Sequence, residues 1–261
     1  MKNLFYGIIA LIALTTLVAC GGSAVADEVT EPIQEAAYLL EEESGLEFIY
    51  ITTQPMRATQ QPSDESDEIA LIQSGWVVAP SRDGYWVYYG FILQNPRNDF
   101  AMRTPRIRIT ARSADGSVLG TRDRTLGAMH PNQSFADGGF ISTDERPEIV
   151  EFEILPARDR DWVNPTSLRL PEYLPLYTEN VSVSRNRVLG DIINNSAHSL
   201  DRGATVTVVF RDANGYMLAA SSTTVRDVAA NGSTPFNLLI WSPLASEITM
   251  DNFEVFVSAR Y

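Results

Sequence analysis

Cysteine and histidine are nearly absent from this sequence. Cys20 is the only cysteine among 261 residues, and the two histidines are His130 and His198. A single thiol cannot form disulfides inside a folded module, and neither histidine lies at a spacing typical of zinc ligands. The chain also lacks a phosphate-binding glycine loop and a Gly-x-Ser-x-Gly nucleophile motif. We therefore predict no catalytic residues, no metal and no cofactor, with a hydrolase whose Ser, His and Asp are assembled by the fold as a third alternative.

Basic residues are also in short supply. The chain holds 20 lysines and arginines against 33 acidic residues, which gives a formal net charge of −13. Residues 27–68 alone carry 12 acidic residues and one arginine, whereas 70–261 carry 21 acidic residues and 18 arginines. Because a basic patch is missing, we expect no nucleic-acid partner. We interpret residues 20–70 as an acidic tether that contains a short helix and a strand over 46–53, and a cation site there is the alternative.

The start of the chain has the pattern of a secretory signal peptide. Lys2 precedes a short apolar run over 8–14, and small residues follow it. This run is too short for a comfortable transmembrane span, so it predicts a cleaved signal over residues 1–19.

A lipid-attachment motif ends this signal. The residues Leu17, Val18 and Ala19 stand directly before Cys20, and together they resemble a bacterial lipobox. In that motif the cysteine sulfur takes a diacylglyceryl group and the cysteine becomes the new N-terminus. We therefore predict an exported protein that is anchored in a membrane by lipid on Cys20. Gly21 favours the outer membrane where the envelope has two membranes.

The rest of the chain contains an internal repeat. Similar residues recur at an offset of 100 (Gly90 and Gly190, Ile92 and Ile192, Asn95 and Asn195), of 99 (Ile107 and Val206, Ile109 and Val208, Gly116 and Gly215, Asn132 and Asn231) and of 101 (Phe152 and Phe253). A collinear series of this length indicates two homologous modules, which we place at 71–156 and 176–261. A proline-rich linker over 157–175 joins them, and we expect its Trp162 and Leu168 to contact a module.

Each module has the patterns of short strands and tight hairpins. Apolar and polar residues alternate over 107–112, which is typical of a strand with one wet face. The pairs Asp115-Gly116 and Asn214-Gly215 favour hairpin turns, since Asn and Gly accept positive φ. The sequence therefore predicts an all-β protein with two tandem immunoglobulin-like β-sandwiches, and an up-and-down barrel is the alternative.

Two segments of the second module carry a family motif. Gly190-Asp191-Ile192-Ile193-Asn194 ends one strand, and Val208-Val209-Phe210-Arg211-Asp212 runs towards a glycine turn. This arrangement resembles the FxLYD-type domain of bacterial extracytoplasmic proteins, although Phe210 and Arg211 stand where that family has Leu and Tyr. The resemblance covers most of the second module and, loosely, the first. It implies a sandwich fold and an envelope location, and it implies no catalytic residues.

The richest candidate surface lies in the aromatic stretch over 85–93. With the offset of 100, Tyr88, Gly90 and Ile92 would face the core of the first module. The alternate residues would then form an outward interaction surface; they are Val87, Tyr89, Phe91 and Leu93. The alternative is that the strand over 46–53, the linker or the other module covers this face.

These observations predict a non-catalytic interaction or structural role at the cell envelope, with an envelope protein or a glycan as the partner. The alternative is carbohydrate binding by the rings of Tyr85, Trp86, Tyr89 and Phe91, because exposed aromatic rings stack on sugars. The segment Asp212–Gly215 resembles the opening of a calcium loop, but it lacks the later acidic ligands and favours a hairpin turn.

Overall fold

The computed structural model describes residues 68–168, 176–240 and 252–260. Outside the described residues lie the predicted signal peptide with Leu17, Val18 and Ala19, the lipidation site Cys20, most of the tether with its helix and strand, and the linker residues 169–175. All the described residues belong to one compact unit. Within them, no helix is long and apolar enough to cross a membrane.

The described part of the chain is built from fourteen strands and two short 3-10 helices. The strands are β1 (Ala70–Ser81), β2 (Gly84–Gln94), β3 (Ala101–Met102), β4 (Arg106–Arg112), β5 (Val118–Thr125), β6 (Ser134–Thr143), β7 (Ile149–Ile154), β8 (Trp162–Val163), β9 (Tyr177–Ser184), β10 (Arg187–Asn194), β11 (Ala204–Arg211), β12 (Met217–Val225), β13 (Gly232–Leu239) and β14 (Phe253–Ala259). The 3-10 helices span Asp159–Asp161 and Pro165–Ser167.

The strands form two β-sandwiches of the same topology. In the first, the antiparallel sheet β1-β2-β6 faces the sheet β5-β4-β7, and in the second the sheet β9-β10-β13 faces β12-β11-β14. Each pair of sheets corresponds to strands A, B, E and C′, C, F of an immunoglobulin sandwich. The predicted all-β fold with two immunoglobulin-like sandwiches is therefore confirmed.

The predicted strand and turn patterns hold in detail. Ile107, Ile109 and Ala111 are fully buried on β4, while Arg108 and Thr110 between them lie on the opposite face. Gly116 and Gly215 have φ values of 87° and 83°, and each donates its N–H to the residue three positions earlier. Glycine is favoured there because L side chains rarely adopt such φ values.

The linker folds onto the first sandwich where it is described. Trp162 and Val163 form β8, which pairs with the short strand β3. The Trp162 ring contacts the core of the first sandwich, and Leu168 is buried beside Ala101 and Ala128. The expected contact of Trp162 and Leu168 with a module is therefore confirmed.

The two sandwiches are stacked on each other. One face of the sheet β1-β2-β6 packs against β5-β4-β7, and its other face packs against β12, β11 and β14 of the second sandwich. The layers therefore run in the order β5-β4-β7, β1-β2-β6, β12-β11-β14 and β9-β10-β13. A sheet covered on both faces carries a nearly continuous run of buried residues, as β1 and β2 do.

A row of glycines lets the second and third layers approach closely. Gly75, Gly90 and Gly138 lie side by side on the three strands of the sheet β1-β2-β6. A Cβ atom at any of the three would lie 2.5 Å from a backbone atom of Met217 or Ala220 on β12. Only residues without a side chain fit in this row, so the backbone of β12 rests directly on the backbone of the neighbouring sheet.

Candidate functional site

The predicted interaction surface is buried inside the first sandwich. Val87, Tyr89, Phe91 and Leu93 are between 0% and 1% exposed, and they contact Ile107, Ile109 and Ala111 of the facing sheet. The prediction that they face outward is therefore wrong. Tyr88, Gly90 and Ile92, which were expected in this core, face the second sandwich instead.

The wrong prediction comes from an alignment of the two modules that is shifted by one residue along β2. Asn95 directly follows β2, and Asn194 is the last residue of β10. Both are buried, and the side-chain oxygen of each accepts a hydrogen bond from the backbone N–H two residues later. Asn95 therefore corresponds to Asn194 at an offset of 99, and not to Asn195, whose amide instead bonds the Tyr177 hydroxyl. Since strand side chains alternate, a slip of one residue reverses every side chain.

The aromatic residues of β2 separate into two groups. Tyr89 and Phe91 stack at 6.5 Å inside the first sandwich, and both rings meet Phe152 edge to face. On the opposite face, the Phe140 ring lies 4.8 Å from the Trp86 ring and 6.3 Å from the Tyr88 ring, again edge to face. The four rings considered for carbohydrate binding thus share no exposed plane.

A chain of polar side chains crosses the junction between the sandwiches. Asp137 on β6 is only 2% exposed, and its Oδ2 accepts a hydrogen bond of 2.9 Å from Nε of Arg124. Its Oδ1 accepts one of 2.8 Å from the hydroxyl of Ser222 on β12. The Ser222 hydroxyl is 2.8 Å from that of Thr207, which donates to the Ala136 carbonyl at 3.0 Å. We call these four side chains the junction network.

Charges within the junction network shift the pKa of neighbouring groups. The pKa of Tyr89 is raised to about 12, mainly by burial; the charge of Arg124 opposes this shift, and that of Asp137 contributes to it. Burial by itself lowers the pKa of Arg124, but the charge of Asp137 and its hydrogen bond outweigh that effect and raise it. Tyr89 is therefore a neutral phenol and Arg124 a cation at neutral pH, and Arg124 forms an ion pair with Asp137.

A second polar contact joins the sandwiches near β1. Arg211 donates to Oε1 of Gln73 at 2.7 Å and to Oε2 of Glu254 at 2.8 Å. Its counterpart in the first sandwich, Arg112, makes the same kind of ion pair with Glu151 at 2.8 Å. The repeat therefore keeps the arginine and the acid, and the second copy adds a bond across the junction.

The outermost layer of the first sandwich presents a charged, shallow surface. Arg108 bonds Asp123 at 2.8 Å across neighbouring strands, and Thr110 lies opposite Thr121. Together with Glu151 and Glu153 they line a depression of about 560 Å³. The apolar residues Val118 and Ile149, 56% and 38% exposed, flank Arg112 at one end of this outer face.

The repeat explains why no other described sheet packs on this outer face, whereas its counterpart in the second sandwich is covered. Arg108 and Asp123 correspond to Thr207 and Ser222, which lie opposite each other in the same way. The second copy thus has small hydroxyl residues where the first has a long ion pair. Small side chains allow another sheet to approach, whereas desolvating a paired charge is costly.

His130 and His198 occupy unrelated places. His130 is buried at the end of the first sandwich, where its backbone N–H bonds Oε1 of Gln133 at 2.8 Å. His198 is exposed in the loop after β10, where its carbonyl accepts a hydrogen bond from Asn194. They lie in different sandwiches and so do not form one site. Within the residues described, no group of three His, Cys, Asp or Glu side chains is arranged to hold a metal ion.

His130 is expected to make the stability of the protein depend on pH. Burial lowers its pKa below the ordinary value of 6.5. The unfolded chain then binds a proton more readily than the folded one, so stability falls as the pH drops below 6.5, by at most about 1.4 kcal/mol per pH unit. Urea unfolding at pH 7.5 and 5.5 measures this, and His130→Gln is expected to reduce the difference. An unchanged difference in the variant would assign the pH dependence to other groups.

No known family model matches the chain, and no protein of curated function is detectably similar to it in sequence.

Proposed function

We propose that this protein is an exported, lipid-anchored protein with a non-catalytic, structural or partner-binding role at the cell envelope. The signal pattern and the lipobox at Cys20 support export and anchoring. The sandwich formed by strands β9 to β14 agrees with the fold that the FxLYD resemblance implies, and we propose that both modules are of this type.

The observation that carries the proposal is the coverage of the sheet β1-β2-β6 on both faces. Two sandwiches on a flexible linker would present their faces in variable orientations, whereas this stack holds its outer layers at a fixed separation. A rigid block behind an acidic tether is suited to hold a binding face away from a membrane. The outer face of β5-β4-β7 is the favoured binding face, because it combines a depression, paired charges and exposed Val118 and Ile149.

Carbohydrate binding is the weaker proposal. A sugar platform needs exposed and roughly coplanar rings, yet Tyr89 and Phe91 are in the core. Phe140, which is 47% exposed, meets Trp86 at an interplanar angle of 85°.

Cross-linking in intact cells tests the proposal. The full chain is expected to sediment with membranes and to cross-link to an envelope protein. Cys20→Ser is expected to be released from the membrane, because it cannot carry the acyl chains. Continued membrane retention of Cys20→Ser would contradict the lipid anchor.

A matched pair of surface variants then locates the binding face. Val118→Glu is expected to abolish the cross-link, whereas Tyr216→Glu, equally exposed at the matching turn of the second sandwich, is expected to preserve it. Equal loss in both variants would contradict the assignment of the face. Retention on purified cell-wall glycan, with no protein partner recovered, would favour carbohydrate binding instead.

A further inference from the structure

The hydrophobic cores of the two sandwiches are built differently. Every member of the first core lies between Ile69 and Trp162, among the residues that the structure describes. The second core draws most of its members from 176–259 but also includes Val77, Ala79 and Tyr88, which belong to β1 and β2 of the first sandwich. Trp86 packs against the same core.

These borrowed residues are a substantial part of the second core. Val77 and Ala79 are 1% exposed and Tyr88 is 8% exposed, so the second sandwich covers them almost completely. They belong to one buried cluster with Leu218, Ala219 and Leu238 of β12 and β13. Removing the first sandwich would expose these partners to water, at a cost proportional to the apolar area uncovered.

The polar contacts show the same direction of dependence. The hydroxyls of Ser222 and Thr207 bond to Asp137 and to the Ala136 carbonyl, which belong to the first sandwich. Without the first sandwich, Ser222 and Thr207 keep only each other, whereas Asp137 without the second sandwich keeps its ion pair with Arg124. Both the shared apolar core and the junction network therefore make the second sandwich depend on the first more than the reverse.

We infer that the first sandwich is a folding template for the second. The first sandwich is stable with its own core, and the second is stable only while β1 and β2 complete it. Unfolding of the first sandwich therefore unfolds both, whereas the second opens while the core of the first remains closed. Such partial opening is a known property of cooperative subunits of a fold.

Native-state hydrogen exchange of the whole chain tests this inference with a matched pair of substitutions. Ile109 and Ile192 are both fully buried, and each lies in an outermost layer, away from the junction. Ile192→Ala destabilises the intact stack relative to both the partly open and the fully unfolded state, so it is expected to speed the slowest amides of both β10 and β4 by the same factor, between about 30-fold and several thousand-fold. Ile109→Ala weakens the first sandwich equally in the intact and in the partly open state, so it is expected to speed the amides of β4 by a similar factor. The amides of β10 exchange through the partial opening and are expected to stay unchanged in this variant.

Two results would overturn the inference. If Ile192→Ala leaves the exchange of β4 unchanged, the first sandwich opens without the second and is no template. If Ile109→Ala speeds β10 as much as β4, the two sandwiches unfold only together and the second does not open alone. Should either alanine variant fail to fold, Ile109→Val and Ile192→Val give the same comparison with factors of about 2-fold to 12-fold.

Discussion

Replacing Gly138 by valine is expected to destabilise the protein by about 3 kcal/mol or more, the upper end of the range for overpacked sites. A Cβ atom at this position would lie 2.5 Å from the carbonyl carbon of Ala220. The obstacle is the backbone of β12, which cannot rotate away as a side chain does. Accommodating the valine requires the two central layers to separate, and this uncovers the apolar contacts of Ile92 and Ala136.

The intrinsic preference of valine for strands would by itself predict a gain in stability instead of this loss. Valine favours strands and glycine weakens them, so valine within β6 would be stabilising if packing did not matter. Gly127→Val is the matched control, because a Cβ atom at Gly127 meets nothing within 4 Å. Thermal and urea unfolding of both variants measure the difference. If both variants lose equally little stability, the close approach of the layers at Gly138 is contradicted.

The sequence predicts the strands and turns of the fold well, because they follow from local residue patterns. Alternation over 107–112 and the glycines at 116 and 215 depend on neighbouring residues alone, and all of them agree with the structure. The repeat itself is also readable, since Ile107 and Ile109 match Val206 and Val208 at the correct offset.

The sequence does not show which side chains of β2 face which core. Every residue over 87–93 except Gly90 is apolar or aromatic, so periodicity gives no sign of which set faces which core. The chance match of Gly90 with Gly190 then chose the wrong register. The buried asparagines would have corrected it, because Asn95 and Asn194 each start a loop with the same side-chain bond.

Local sequence patterns also do not predict that the two sandwiches stack on each other. The glycines at 75, 90 and 138 are far apart in sequence and become a row only through strand pairing. Asp137 gave a weak signal, since it is a lone acid between Phe135, Ala136 and two glycines. Its partners Arg124 and Ser222 come from different sheets, so no spacing along the chain could identify the junction network.

Asp137 is the second position at which a large effect is expected. Asp137→Ala leaves Arg124 without its carboxylate and removes the acceptor of Ser222. Breaking a buried ion pair by removing one partner costs about 3–5 kcal/mol. The lower end of that range is expected here, because the Arg124 side chain is 33% exposed and water solvates it in part.

Two variants separate the roles of the charge and of the hydrogen bond. Asp137→Asn keeps a carbonyl oxygen for Ser222 but loses the charge, so its loss of stability is expected to lie between those of Ser222→Ala and Asp137→Ala. Asp123→Ala is the control, since its pair with Arg108 is exposed and such pairs contribute little. Because the junction network belongs to both sandwiches, Asp137→Ala is expected to speed hydrogen exchange in β10 as well as in β4. Equal stabilities of Asp137→Ala and Asp123→Ala in urea would show that the junction network does not hold the layers together.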